Sequence, residues 1–566
     1  TSSLGESVEK DDPIDAYSME KIRFCHRMES LERSASIRMY RSKLPANGKF
    51  ATGLLTILLF SFLLIFVSKP VHIDDTVFLK TGEFLAEHPW KPFSFELNWG
   101  GKSVSIFNED NPFLIPYFEA FVTRIGGQSE TILHIAFMIF PFLAMLAYRG
   151  IASGYKYSAN TASVLLITSP AFLVSATTLM ADIPLIAFYL LACYFYVRFC
   201  ETLKTSDGWM FGAMIVLAAF TKYIGLTLIP LLLFDSIRRG ILRKSAPYLL
   251  LPVIGTLLWC IQNLISVGAL HIWDSGKSMN LQAKPVFEKT IAALSFTGLS
   301  ILGFVVFSCC RSLRSFLLLL GFSIAGGVIV HFFSRTHYFT NTMLMGFGMG
   351  SAVFCFTRID RSKIDAFLAL WLVGMFLYVC LAEFVAARVV LLFAPPLLLL
   401  LSARVSRSFL IHCVILNFLL SVLVGFADQK SAVFYKNFAE KLPTQHTHYI
   451  AHWGMQYYLE KRGLSPFDYE KDSLHAGDLI VVPVVAGTSF YPMPQGSGKY
   501  RDVQVILEKE IRFDVYRGIF VMNSPNDAGW YCHGWGMLPY SWGYGPIETI
   551  KFFRVTATEN SGSNSS

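Results

Sequence analysis

The sequence predicts an all-α polytopic membrane protein followed by a small exported α/β domain. Three observations predict it. Charged residues make up only 16% of the chain, against roughly a quarter in a soluble protein, while 53% are hydrophobic. Apolar runs of about 18–20 residues, long enough to cross a bilayer, recur from residue 52 onward. From about residue 426 that pattern gives way to mixed polarity over roughly 140 residues, enough for a small domain.

Residues 1–50 are polar and basic, with Lys21, Arg23, Arg27, Arg33, Arg38, Arg41, Lys43 and Lys49 ahead of the first apolar run. Positive charge before a span marks the cytoplasmic side, and a nucleic-acid site is the less economical account of it. No secretory signal is evident, so the first run is expected to stay as an anchor. The membrane domain is expected over 51–425, with spans at 52–68, 131–148, 160–177, 180–198, 246–266, 290–308, 315–332, 338–356, 365–382, 389–402 and 408–425. Basic loops after several of them, such as Arg238/Arg239/Arg243 and Arg311/Arg314, all fall on the cytoplasmic side on one condition. The stretch 208–236 is too long for one span and must enter and leave on the same side, as two short helices with TKYIG at the bend. About 13 membrane helices result, N-terminus inside and C-terminus outside.

This topology exports a long first loop (69–130), residues 271–289, and the region 426–566. In the last, GDLIVVP (477–483) and the stretch 503–522 alternate like strands, AHWGMQYYLEKRG (451–463) is helical in pattern, and ENSGSNSS reads as a disordered tail. Of ten cysteines only Cys532 lies in the large exported region, so no disulfide is expected there.

Carboxylates and cations cluster at the exported ends of the spans. Asp74 and Asp75 follow the first span, and Asp182 opens a later one just ahead of Pro184. Lys222 sits inside an apolar stretch and Arg388 at the exported end of another. Each has a bland account: a solvated pair, a helix cap at Asp182, a snorkelling anchor at Arg388. Together they suit an anionic lipid head group reacting with a polar acceptor, because a charge near hydrocarbon is costly without a partner or a wet cavity. His72, His134, His331 and His337 are not at metal-ligand spacing, and the sequence has no Walker A loop, dinucleotide fingerprint or nucleophile elbow. Energy or sugar activation must therefore come from something other than a cytoplasmic nucleotide.

The acidic pair, IFNEDNPFLIPYFEAFVTRIGG (106–127), LMADIPL (179–185), AAFTKYIGL (218–226) and AARVVLLFAPPLLLL (386–400) occur in that order. This order resembles the GT-C glycosyltransferases, in the bacterial branch related to protein O-mannosyltransferases and the lipid A aminoarabinose transferase, over roughly 50–425. The resemblance implies the GT-C fold and a polyprenyl-phosphate sugar as donor, with protein, lipid or glycan as acceptor. It implies Asp74 as the catalytic carboxylate, Asp75 in place of the usual Glu, and Asp182 as the acid that positions the site. Lys222 and Arg388 match cations that hold the donor phosphate. Relatives carry a lysine just before the loop prolines where this chain has Asp110 and Asn111, so Lys102 is taken to compensate from the same loop. Val389 replaces the tyrosine that often follows the late arginine.

The function read from this is transfer of a monosaccharide, hexosyl or pentosyl, to an acceptor hydroxyl on the outer face of a bacterial inner membrane. It needs no metal or other cofactor. The competing readings are a polyprenyl-lipid or glycan transporter, and an exported-face glycan ligase. A transporter would more often show repeated halves, and no internal repeat is found. The aromatic stretch WYCHGWGMLPYSWGYG (530–545) is read as the core of the small domain rather than as a glycan platform.

Overall fold

The computed structural model describes residues 46–99, 101–108, 111–276, 283–333, 339–359, 364–487, 500 and 503–557. The basic cluster Lys21 to Lys43, Asp110, His337 and the tail lie outside them. Helices dominate up to Lys441, and strands are concentrated in the C-terminal region. Among the described residues six helices are long and apolar enough to cross a membrane: Glu130–Gly154, Asp182–Thr202, Leu242–Val267, Leu313–Phe332, Phe339–Arg358 and Phe409–Lys441. Shorter apolar helices, Phe50–Ile65 and Ala366–Leu381, accompany them. The chain is a multi-pass membrane protein, in which helices satisfy their own backbone groups away from water.

Several expected spans are assembled from pieces, each break having a local cause. The stretch 160–177 divides into Ala159–Ile167 and Pro170–Ser175, because Ser169 caps the second piece and Pro170 has no N–H to give the first. The stretch 290–308 runs through Ala283–Phe296, a π-helical turn at Thr297–Leu302 and a final turn at Val305–Ser308. Gly298 explains the bulge: a Cβ there would lie 1.8 Å from the Gly348 carbonyl oxygen of the crossing helix. The same helix meets Leu313–Phe333 through small residues, since a Cβ on Gly346 would stand 2.5 Å from the Gly327 nitrogen. Lipid offers no hydrophobic drive for helix pairing, so such close backbone contact is what associates these helices.

The stretch 208–236 folds as a helical hairpin. Thr205–Thr221 ends at Lys222, whose backbone is extended, and a 3-10 turn over Tyr223–Thr227 leads into Leu228–Arg238. Both ends of the hairpin meet the C-terminal turns of the helix Asp182–Thr202: Arg198 pairs with Asp207 at 3.3 Å and the Tyr196 hydroxyl donates to Asp235 at 3.1 Å. The chain therefore enters and leaves on one side, and the bend carrying Lys222 lies at the opposite end, beside Asp182.

The last long helix, Arg407–Lys441, continues well past residue 425, where the exported region was expected to begin. Its Tyr435 hydroxyl donates to Glu548 at 2.9 Å, and Glu548 also accepts the N–H groups of Val484, Val485 and Ala486. The domain beyond is a four-stranded sheet in the order Thr447–Tyr449, Leu479–Pro483, Glu548–Ala557, Gln504–Phe513. The first pair is parallel and the others antiparallel, with Phe552 opposite Val481. Asp514, at a φ of +47°, separates Gln504–Phe513 from the next strand, Tyr516–Phe520. Helix Trp453–Lys461 carries the domain onto the first long loop: Gln456 donates to the Asn98 carbonyl at 2.9 Å and Tyr457 to Glu83 at 3.0 Å.

Candidate active site

The chain leaves the first helix through Lys69 and His72 and turns at Ile73 into the helix Asp75–Glu87. Ile73 has a φ of +51°, a left-handed conformation that a β-branched residue adopts only under constraint. Successive side chains diverge by about 100° at a helix start, so the two neighbouring acids point different ways. Asp75 is fully buried; its carboxylate accepts the N–H of Leu179 at 2.9 Å and that of His72 at 3.2 Å. It thus ties the segment leading to Asp182 onto the turn before Asp74. Burial pushes the Asp75 carboxyl up to about 7, against the favourable pull of Lys69 and of those two N–H groups.

Asp74 faces the other way, into a cavity of about 570 Å³. One oxygen accepts from Arg388 Nη2 at 2.7 Å, and its side chain is one-third exposed. Arg388 is nearly buried, and its Nε lies 3.6 Å from Asp182 Oδ2, an ionic contact too long for a hydrogen bond. Asp182 Oδ1 accepts from Lys222 at 2.8 Å. The four residues form a chain of alternating sign, Asp74–Arg388–Asp182–Lys222, and all four line the cavity. The helix cap at 181–182 is Ala181, so the Asp182 carboxylate is given to the cations rather than to its own helix end. Among the described residues Arg388 Nε finds no acceptor and Asp182 Oδ2 no donor, although both are buried. An anion in the cavity would supply the acceptor that Arg388 Nε lacks.

The hairpin bend places Lys222, the unwound segment ahead of Val390–Leu392 places Arg388, and much of the remaining wall is apolar, with Phe78, Phe113, Leu185, Ile224 and Leu392. Asp75 is not among the lining residues. Lys102 does not line it either: it pairs with Glu470 at 2.6 Å where both side chains are more than half exposed. Sequence reasoning passed over Glu383, Tyr378 and Tyr223, which also line the cavity. Glu383 stands just ahead of the AARVV motif, and Tyr223 within TKYIG, so proximity to a motif was the available signal. Tyr223 is held by Trp259, which donates at 2.8 Å, and by His271 Nδ1 at 2.7 Å. Trp99 of the long loop reaches the cavity, whereas Trp90 is exposed and Phe93 packs on Trp259 at 5.7 Å. Among the described residues no group of three or more His, Cys, Asp or Glu is arranged to hold a metal ion.

Residues 110–265 match the family model described as dolichyl-phosphate-mannose-protein mannosyltransferase. The matched segment holds Asp182 and Lys222 and agrees with the resemblance to GT-C glycosyltransferases carried by the motifs. Among solved structures, the chain is similar to ArnT from Cupriavidus metallidurans bound to undecaprenyl phosphate, at 12% identity and a TM-score of 0.41, over 77% of this chain and 93% of that one. It is also similar to the S. cerevisiae protein O-mannosyltransferase complex bound to the sugar donor, at 14% identity and a TM-score of 0.34, over 42% and 36%. A third is the arabinosyltransferase EmbB from Mycobacterium smegmatis, at 15% identity and a TM-score of 0.31, over 88% and 50%. No curated protein sequence matches the chain.

Proposed function

We propose that the chain is an integral-membrane glycosyltransferase that moves a monosaccharide from a polyprenyl-phosphate donor to an acceptor hydroxyl on the exported face of a bacterial inner membrane. The observation that carries this reading is the convergence of Asp74, Asp182, Lys222 and Arg388 on one cavity with apolar walls. Cations beside an apolar surface suit a lipid phosphate, and a partly exposed carboxylate in contact with one of them suits an acceptor hydroxyl.

In this reading Lys222 and Arg388 take the donor phosphate. Asp182, which pairs with both, holds them on one side of the cavity. Asp74 Oδ1 takes no hydrogen bond from a described residue and accepts the proton of the acceptor hydroxyl. The hydroxyl oxygen forms its bond to the anomeric carbon as the bond from that carbon to the phosphate oxygen breaks. The departing electron pair stays on the phosphate, where the cations stabilise it without reorganising. One attack inverts the anomeric carbon. A positioned carboxylate base contributes on the order of 10²–10⁴ in rate.

The test incubates purified protein in detergent–lipid mixtures with polyprenyl-phosphate sugars and membrane extract as acceptor source, and follows free polyprenyl phosphate. Release by wild type, lost in Asp74→Asn, is the expected result. Equal release by both removes Asp74 from the role. Absence of release from every donor, with lipid moved unchanged across a vesicle membrane, returns the transporter reading.

A further inference from the structure

The loop that carries Arg388 is not held by the membrane bundle alone. A segment more than 140 residues further along, Trp530–His533 of the C-terminal domain, runs beside it like an added strand. Ala387 N–H donates to the Trp530 carbonyl at 2.9 Å, and His533 N–H donates to the Val385 carbonyl at 2.8 Å. Val385 N–H donates in turn to His533 Nδ1 at 3.2 Å. Between these ties stands Tyr531, almost wholly buried. Its ring lies 5.5 Å from the Arg388 guanidinium carbon, on which Phe384 also bears at 5.8 Å.

The hydroxyl of Tyr531 donates to Asp428 Oδ2 at 2.8 Å. Asp428 is fully buried on the last long helix and is paired with Lys69 and with His72, 3.3 Å away. Tyr531 thus meets the Arg388 guanidinium with its ring face and a second buried carboxylate with its hydroxyl. An arginine is drawn to whichever carboxylate it can reach. With the ring in place Arg388 turns toward Asp74 and Asp182, on the cavity side.

We propose that the C-terminal domain completes the donor-phosphate site, with Tyr531 as a positioning residue that holds Arg388 toward the cavity and screens it from Asp428. The proposal rests on the transferase reading above and gives the domain a task at that site in place of a separate glycan platform. A ring face on a desolvated guanidinium and a hydrogen-bonded loop both act on where the cation sits, so their loss is read in donor affinity.

The experiment measures binding of polyprenyl phosphate alone to the full-length protein, beside donor KM and kcat, for wild type, Tyr531→Leu, Tyr531→Phe and His533→Ala. Tyr531→Leu is expected to weaken polyprenyl-phosphate binding and raise donor KM about tenfold, with kcat changed less. Tyr531→Phe keeps the ring and loses the bond to Asp428; thermal stability falls while donor affinity stays within about threefold of wild type. His533→Ala removes one acceptor from the loop and weakens binding about three- to tenfold, which supplies a reading even where Tyr531→Leu does not fold. Folded Tyr531→Leu and His533→Ala that bind polyprenyl phosphate like wild type overturn the proposal. Equal losses in Tyr531→Phe and Tyr531→Leu overturn the role of the ring. Wild type that neither binds polyprenyl phosphate nor releases it from any donor overturns the transferase reading instead, which separates the two failures.

Discussion

Arg388→Lys keeps the positive charge and removes the shape. Arg388 reaches Asp74 through Nη2 at 2.7 Å and Asp182 through Nε at 3.6 Å, two edges of one planar group. A lysine ammonium is a single point on a flexible stem and cannot occupy both positions. Losing one charge-assisted contact costs about 1.5–3 kcal/mol, and each 1.4 kcal/mol is a factor of ten, so donor kcat/KM is expected to fall roughly 10- to 150-fold. Arg388→Gln goes further. It leaves the nearly buried Asp182 with Lys222 as its remaining cation, and unpairing a buried ion pair costs about 3–5 kcal/mol, so this variant is expected to lose stability as well as turnover. The assay is release of polyprenyl phosphate at several donor concentrations, beside thermal unfolding of each variant. A folded Arg388→Lys enzyme within about threefold of wild type would refute the reasoning, because a point charge would then suffice.

Four other outcomes are expected. Asp182→Asn frees Lys222 and Arg388 from their shared carboxylate, and donor kcat/KM should drop at least tenfold; unchanged kinetics would show that Asp182 does not position them. Lys102→Ala removes only an exposed pair with Glu470, so donor KM should stay within about twofold, and a larger rise would return Lys102 to the phosphate. The Asp75 carboxyl is raised from 3.8 to about 7 in the folded chain, so the folded state binds the extra proton between those values. Its stabilising share is complete below about pH 4 and is lost as pH rises through 7, on the order of 4 kcal/mol. Thermal unfolding from pH 5 to 8 should therefore show wild type losing ground to Asp75→Asn as pH rises; a constant difference would contradict it. Gly298→Ala sets a methyl 1.8 Å from the Gly348 oxygen and should lower stability by about 1–3 kcal/mol or more, read as a lower unfolding temperature.

The sequence made the membrane bundle legible because apolar length is a local property. The hairpin at 208–236 was legible for the same reason, its length fitting neither one span nor two. Interrupted helices were not, because the cause of the bulge at Gly298 is a backbone on another helix. In the site, Asp74, Asp182, Lys222 and Arg388 were found by asking which charges stand at one end of the spans, and they meet in one cavity. The same question could not separate Asp75 from Asp74, since adjacency in sequence hides the turn that sends one inward. Lys102 was chosen for its loop, and the loop carries it to Glu470 instead. Tyr531 was invisible as a partner of Arg388 because only tertiary packing brings residues so far apart together, and its aromatic stretch was read as the core of the small domain.

The strand-like seam between Val385–Ala387 and Trp530–His533 also sets an order of events during synthesis. Asp74, Asp182 and Lys222 leave the ribosome early and Arg388 well after them, yet the segment that aligns Arg388 is made later still. Domains tend to fold as units in the order they emerge. A nascent chain can thus gather its helices and still lack a finished cavity until the late domain has docked on the first long loop and on the Arg388 segment. Under the transferase reading proposed above, quality control that removes stalled or shortened chains would then meet proteins that lack a finished donor site.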